Sequence, residues 1–219
     1  MSPRHWSFST YLFDLDGTLI DSIGLIMLSF RHTMRAHLGD VPPDTVWRSG
    51  FGKPLRTQLA TFARNADELD AMVATYAAYT DIHHDRLVEV YPGIHDALES
   101  LSGPDTKLAI VTSKNRRSMW RGLRLCGLDG YFDAFVTVDD VHDYKPHPAP
   151  VVEALARLQT TSRDAVFIGD SPHDVAAGRA AGVKTAVALW GPFSREELAR
   201  EGPDYWLSGP ADITTLPSR

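Results

Sequence analysis

The sequence predicts an α/β protein: a parallel sheet with helices on both faces, and an all-helical segment inserted after the first strand. Three observations carry this expectation. After Tyr91-Pro92-Gly93, short apolar runs of strand length alternate with helical patterns, as in a parallel sheet. Between Gly17 and Val90 no convincing strand is legible. The apolar run Thr10 to Phe13 ends in Asp14-Leu15-Asp16-Gly17, as a buried strand running into a turn does.

The elements follow in order. Helical spacing runs from Ser22 to Leu38 through Ile23, Ile26, Met27, Phe30 and Met34, and Gly39 stops it. Two further helices are expected at Leu55 to Arg64 and Ala66 to His83. Strands are expected at Leu108 to Val111, Ala134 to Val138, Ala165 to Ile168 and Thr185 to Leu189, with a last short one at Tyr205 to Leu207. Helices fit at Ile94 to Leu101, Arg117 to Leu125, Ala149 to Leu158 and Asp174 to Ala181. The expected division is a core of residues 1–16 plus 91–219 and a helical cap of residues 17–90.

Composition excludes several classes. The chain has 219 residues, and 43% hydrophobic with 23% charged residues is ordinary for a globular protein and too apolar for a disordered one. Lys and Arg number 22 against 28 Asp and Glu, a net charge of −6. Without a cluster of cations, no nucleic-acid partner is expected. One cysteine, Cys126, rules out an intrachain disulfide and is expected to be buried and inert. The run Ile23 to Phe30 is too short to span a bilayer, and Met1 to Phe8 has no apolar stretch of signal length. The expectation is a cytoplasmic protein with no membrane contact. Oligomeric state is not legible.

Ligands of open α/β sheets bind beyond the C-terminal ends of the strands. Asp14 and Asp16, two apart on an extended chain, face one side. Alone, they read equally well as a solvated Asp-Gly turn. A calcium loop fails on spacing, because Gly17 stands at loop position 4 and Leu25 at position 12. No glycine-rich dinucleotide fingerprint or P-loop is present. Thr112-Ser113-Lys114 follows the second core strand, where hydroxyls suit either phosphate oxygens or a helix cap. Lys145, between Tyr144 and Pro146, could neutralise a transferring phosphoryl group or simply be solvated. Ser171, Pro172 and Asp174 make a good helix start by themselves. That leaves Asp170, after an apolar strand and Gly169, where a carboxylate opposite Asp14 suits Mg²⁺. Each bland reading holds alone. All four together, at corresponding ends of one sheet, do not.

This set resembles the haloacid dehalogenase superfamily of phosphotransfer enzymes. Asp14-Leu15-Asp16-Gly17-Thr18, Thr112, Lys145 and Gly169-Asp170-Ser171-Pro172-His173-Asp174 match its four motifs, and the resemblance covers nearly the whole chain. It implies a Rossmann-type core with a helical cap. Within the superfamily the chain is similar to the phosphoglycolate phosphatase-like group, above all to the inorganic pyrophosphatases tied to HPr phosphorylation control. Ile82 to Glu89, Val138-Asp139-Asp140-Val141 and Lys145 to Pro150 carry that finer likeness, while Ser113 stands where phosphoglycolate phosphatases often have Asn.

The resemblance implies a Mg²⁺-dependent phosphatase acting on a small phosphate monoester or on pyrophosphate. Asp14 would be the nucleophile, Asp16 the acid and base, and Lys145 the neutralising cation. Asp14, the Asp16 carbonyl and Asp170 would hold Mg²⁺, with Asp174 in support. Thr112 and Ser113 would hold phosphoryl oxygens. Asp16 favours phosphoryl transfer over dehalogenation, whose leaving halide needs no proton. A sugar phosphomutase of the same fold and a non-catalytic phosphate-compound or partner-binding protein stay open as alternatives. In the cap, the turn Ser49 to Leu55 is the expected substrate loop, with Lys53 or Arg56 reaching an anionic tail and Arg48 a further candidate. His83 and His84 are expected to be solvated, and Trp190 to Phe193 either borders the site or packs on the surface.

Overall fold

The computed structural model describes residues 8–216. Its centre is a six-stranded, all-parallel sheet of β1 (Thr10–Phe13), β4 (Lys107–Val111), β5 (Ala134–Val136), β6 (Ala165–Gly169), β7 (Lys184–Ala188) and β8 (Tyr205–Leu207), in the order β5-β4-β1-β6-β7-β8. β1 lies between β4 and β6, with Thr10 level with both Lys107 and Ala165. A strand flanked and covered on both faces is apolar on both, which is why Tyr11 to Phe13 does not alternate, and the one polar side chain, Thr10, bonds the Thr160 hydroxyl at 2.9 Å.

Helices cover both faces. Tyr11 and Phe13 pack with α5 (Ile94–Leu101) and α6 (Arg116–Leu125) through Ile94, Leu98, Met119 and Leu123. Leu12 points the other way, toward Val151, Ala154 and Leu155 of α7 (Ala149–Arg157) and Ala177 of α8 (Pro172–Ala180). A short helix, α9 (Arg195–Ala199), sits between β7 and β8.

The inserted segment contains α1 (Ile23–Leu38), α2 (Asp44–Arg48), α3 (Leu55–Leu59) and α4 (Ala66–Leu87). Its interior is Phe30, Met34, Trp47, Leu59, Met72 and Tyr76, and it meets Val175, Val187, Phe193 and Leu198 from the sheet side. The Phe30 and Trp47 rings stack with centroids 4.3 Å apart. Asn65 caps α4 by accepting from the Glu68 N–H at 2.9 Å.

Several sequence expectations need correcting. The insert is not free of strand: β2 (Ile20–Asp21) pairs antiparallel with β3 (Glu89–Val90), joining the two chain crossings. A two-residue ladder is too short to leave a period in the sequence. β5 stops at Val136, because Thr137 turns to Asp140, donating to one carboxylate oxygen through both N–H (2.9 Å) and hydroxyl (2.6 Å). α3 ends at Leu59, with a following turn in which Thr61 donates to the Gln58 carbonyl. Among the described residues, no helix is long and apolar enough to cross a membrane.

Candidate active site

Four strand ends converge at the C-terminal edge of the sheet. Asp14 follows β1, Thr112 follows β4, Asp170 follows β6, and Lys145 arrives on the loop between β5 and α7. Lys145 is only 2% exposed. Its Nζ donates to Asp14 Oδ1 at 2.8 Å, to Asp174 Oδ1 at 2.6 Å and to the Val111 carbonyl at 3.3 Å. An ammonium has three N–H donors, and all three are taken. Lys145 therefore neutralises carboxylates and has no donor left for a ligand. Its contact at Oδ1 leaves Asp14 Oδ2 unengaged by this lysine.

Asp174 serves two ends of one carboxylate. Oδ2 closes the capping box of α8, accepting from the Ser171 N–H at 3.0 Å and hydroxyl at 2.6 Å. Oδ1 takes Lys145. Asp170 accepts from the Thr18 hydroxyl at 2.9 Å. Two glycines make room for it: a Cβ on Gly17 would lie 2.5 Å from an Asp170 oxygen, and one on Gly191 would lie 2.4 Å from its Cβ. Gly17 also has φ +79°, a conformation glycine tolerates.

Ligand oxygens of Asp14, Asp170 and Asp174 lie within 4.8 Å of one another, all buried. Burial pushes the Asp14 carboxyl up to about 7 against the pull of Lys145, and Asp174 adds to the push. Burial, then Asp174 and Asp14, raises Asp170 well above the ordinary carboxylate range. Burial alone would lower Lys145, but Asp14 and Asp174 outweigh it and hold the ammonium charged. Three buried carboxylates against one ammonium form a hard-oxygen set short of positive charge. That fits a divalent cation.

Asp16 stands apart from this cluster. Its Oδ1 accepts from the Ser22 hydroxyl and pairs with Lys114 Nζ at 2.8 Å. Its carboxylate is thus not among the clustered metal-type oxygens; only its backbone carbonyl remains as the expected ligand. Thr112 is buried at the edge, its Oγ1 accepting from the Lys114 N–H at 3.2 Å. Ser113, expected on phosphate, instead donates its hydroxyl to the Gly52 carbonyl of the cap.

The cap candidates divide. Lys53 is half-buried in the docked loop and forms no ion pair among the described residues. Arg56 is not brought to the site: it pairs with Asp70 at 2.5 Å, both side chains mostly exposed, since its position on α3 faces α4 across solvent. Arg48 binds the Pro192 carbonyl and approaches Glu197 at 3.6 Å, holding cap to core. Trp190 borders the site, its Nε1 donating to the Thr18 carbonyl at 3.0 Å.

His84 corrects the expectation of two solvated histidines: it is 3% exposed. Its Nδ1 meets Asp85 at 2.8 Å and its Nε2 is buried without a partner. Cys126 is buried, and burial pushes its thiol up to about 11. Three site residues were missed. Lys114 and Ser22 flank Asp16, and Tyr76 of α4 is buried near enough that the Asp16 charge, after burial, raises its hydroxyl above the usual range. Lys114 had one signal, its place two residues past a strand-end threonine. Tyr76 had none, because a buried tyrosine on a helix reads as core.

A buried carboxylate after β1, a second acid two residues on, a buried lysine and a cluster of three carboxylates, all at one edge of a parallel sheet with a helical insert, are the arrangement of a capped α/β hydrolase. The chain belongs to the haloacid dehalogenase-like hydrolase family, whose model matches residues 11–188. The Pyrophosphatase PpaX of Anoxybacillus flavithermus is 39% identical over 210 residues, covering 96% of this chain and 97% of that one. A haloacid dehalogenase-like hydrolase from Streptococcus pneumoniae superposes with TM-score 0.81 at 28% identity, over 95% of this chain and 98% of that one. A Lactobacillus plantarum structure, provisionally named a phosphoglycolate phosphatase, gives TM-score 0.82 at 27% identity, over 94% and 98%.

Proposed function

We propose that this protein is a Mg²⁺-dependent phosphatase that hydrolyses a small phosphate compound through an aspartyl phosphate, with pyrophosphate as its first candidate substrate and phosphoglycolate its second. The observation that carries the reading is the Lys145–Asp14 contact beside Asp16. Lys145 takes Oδ1 and offsets part of the cost that burial puts on the Asp14 charge, and Oδ2 is left to attack phosphorus in line. A P–O bond forms to Asp14 as the bond to the leaving oxygen breaks. Asp16 gives that oxygen a proton, then takes one from the water that cleaves the aspartyl phosphate. Thr112 offers its hydroxyl to a phosphoryl oxygen. Lys114, beside Asp16, supplies positive charge on the leaving-group side.

Asp14, Asp170 and the Asp16 carbonyl would hold Mg²⁺, with Asp174 in support. Bound there, the ion supplies the positive charge that lets an anionic substrate approach an anionic nucleophile. Pyrophosphate is placed first because the whole-length likeness at 39% identity is to a pyrophosphatase. Lys53 is assigned to the far end of the substrate.

The test is phosphate release with Mg²⁺ from pyrophosphate, phosphoglycolate, sugar phosphates, nucleotides and an aryl phosphate, with Asp14→Asn as the blank. One substrate far above the rest, lost in the variant, supports the proposal. Phosphate moved within a sugar without release would replace it with a mutase. Ligand binding with no turnover would replace it with a binding protein.

A further inference from the structure

We propose that Ser113 is a positioning residue whose hydroxyl registers the cap loop on the phosphate-binding edge of the core, and that this register selects compounds with a small leaving group. The inference rests on the hydrolase reading above. Ser113 follows Thr112 directly, so one strand end serves phosphate with the first residue and the cap with the second. Ser113 Oγ donates to the Gly52 carbonyl at 2.5 Å.

Gly52 is fitted to the opposite strand end as closely. It has φ +90°, and a Cβ there would lie 2.8 Å from Ser171 Oγ and 3.2 Å from His173 Cβ and Cδ2. Ser171 is the cap of α8, the helix that carries Asp174. A bare backbone turn therefore touches two of the four converging strand ends, and any side chain at residue 52 would lift it. The flanks of the seam are closed. Phe51 meets Phe193 edge-on at 6.4 Å, and the Arg48 guanidinium binds the Pro192 carbonyl and lies 6.0 Å from the Phe193 ring centre.

Docked this way, the loop holds Lys53, the next residue, in a turn packed closely against the core edge. On this proposal a leaving group of phosphate size is held beneath the registered loop, and an aromatic one makes the loop lift. Losing the register should therefore cost the small substrate more than the large one, because only the small one uses the closed seam for orientation and exclusion of water.

The experiment compares wild type, Ser113→Ala, Ser113→Thr and Gly52→Ala on pyrophosphate and on an aryl phosphate. Ser113→Ala and Gly52→Ala are expected to lower the ratio of kcat/KM for pyrophosphate to that for the aryl phosphate by about three- to tenfold, the worth of one hydrogen bond. Ser113→Thr keeps a donor and should keep the ratio. The double variant should be no worse than the worse single one, since each, by its own contact, undoes the same docking of the loop. Equal losses on both substrates, or an unchanged ratio, would overturn the proposal. A wild type inactive on both would instead remove the hydrolase reading beneath it.

Discussion

Asp170 carries the clearest conflict between stability and use. It is buried with two other carboxylates, and its charged form is disfavoured by burial and by Asp174 and Asp14. A raised folded pKa means the folded state holds a proton the unfolded chain has released, so stability falls as pH rises above the ordinary carboxylate range. Asp170→Asn should therefore stabilise the cation-free protein by about 1–2 kcal/mol near neutral pH while abolishing turnover. A thermal melt in chelator, set beside an activity assay, checks both halves. Adding Mg²⁺ should raise the melting temperature of the wild type and release protons into a weakly buffered solution, and Asp170→Asn should show neither. His84 has the opposite sign. Burial lowers its pKa, so the unfolded chain gains a proton below the ordinary value of 6.5 that the folded one refuses. Its contribution is full above that pH and is lost below it. The difference isolates it: from about pH 7.5 down to about pH 5.5 the melting temperature of His84→Gln should gain steadily on that of the wild type, whatever the buried carboxylates contribute to both.

At the scale of elements, α4 and α6 are tied across the hinge. Arg121 of α6 donates from Nε to Asp85 and from Nη1 to Asp81, both at 3.0 Å, and also to the Asp81 carbonyl at 3.0 Å. Gly122, next along, faces Ile20 of β2. Arg121→Ala should cost about 1 kcal/mol, less at high salt, because the pairs are partly exposed. Denaturant melts at low and high ionic strength measure this. Sequence and structure part company on elements like these. Asp14, Lys145 and Asp170 were legible because each follows an apolar run or a proline that fixes its place on the sheet edge. Three placements were not legible: the pairing of Arg56 with Asp70 and the bond from Ser113 to Gly52 join segments distant in the chain, and the burial of His84 depends on how α4 packs. Asp174 was legible as a helix cap, and the resemblance implied only its support of Mg²⁺; the hold of its other oxygen on Lys145 was not legible, because Lys145 comes from a different loop.

In the whole molecule, the sheet interior and the inserted helices differ in how they are held. β1 is hydrogen-bonded on both sides and covered on both faces, whereas α2 and α3 are five-residue helices on the surface of the insert. Hydrogen exchange should rank them accordingly, with the amides of β1, β4 and β6 opening only on global unfolding and those of α2 and α3 opening first. The fold class, the strand order of chemistry and the helical insert were legible because periodicity and strand-end residues repeat along the chain. The β2–β3 ladder and the docking of the cap were not, since both are set by pairings between distant segments.

The central place of β1 has a further consequence, for the order in which the protein can be made. The strand bearing Asp14 leaves the ribosome before either of its sheet neighbours, residues 107–110 and 165–168. The helices of the insert emerge in between and can settle on local contacts while that first strand waits unpaired. Until β6 and the start of α8 have been synthesised, a nascent chain has Asp14 without Asp170 and Asp174, so the buried carboxylate cluster assembles only after most of the chain exists.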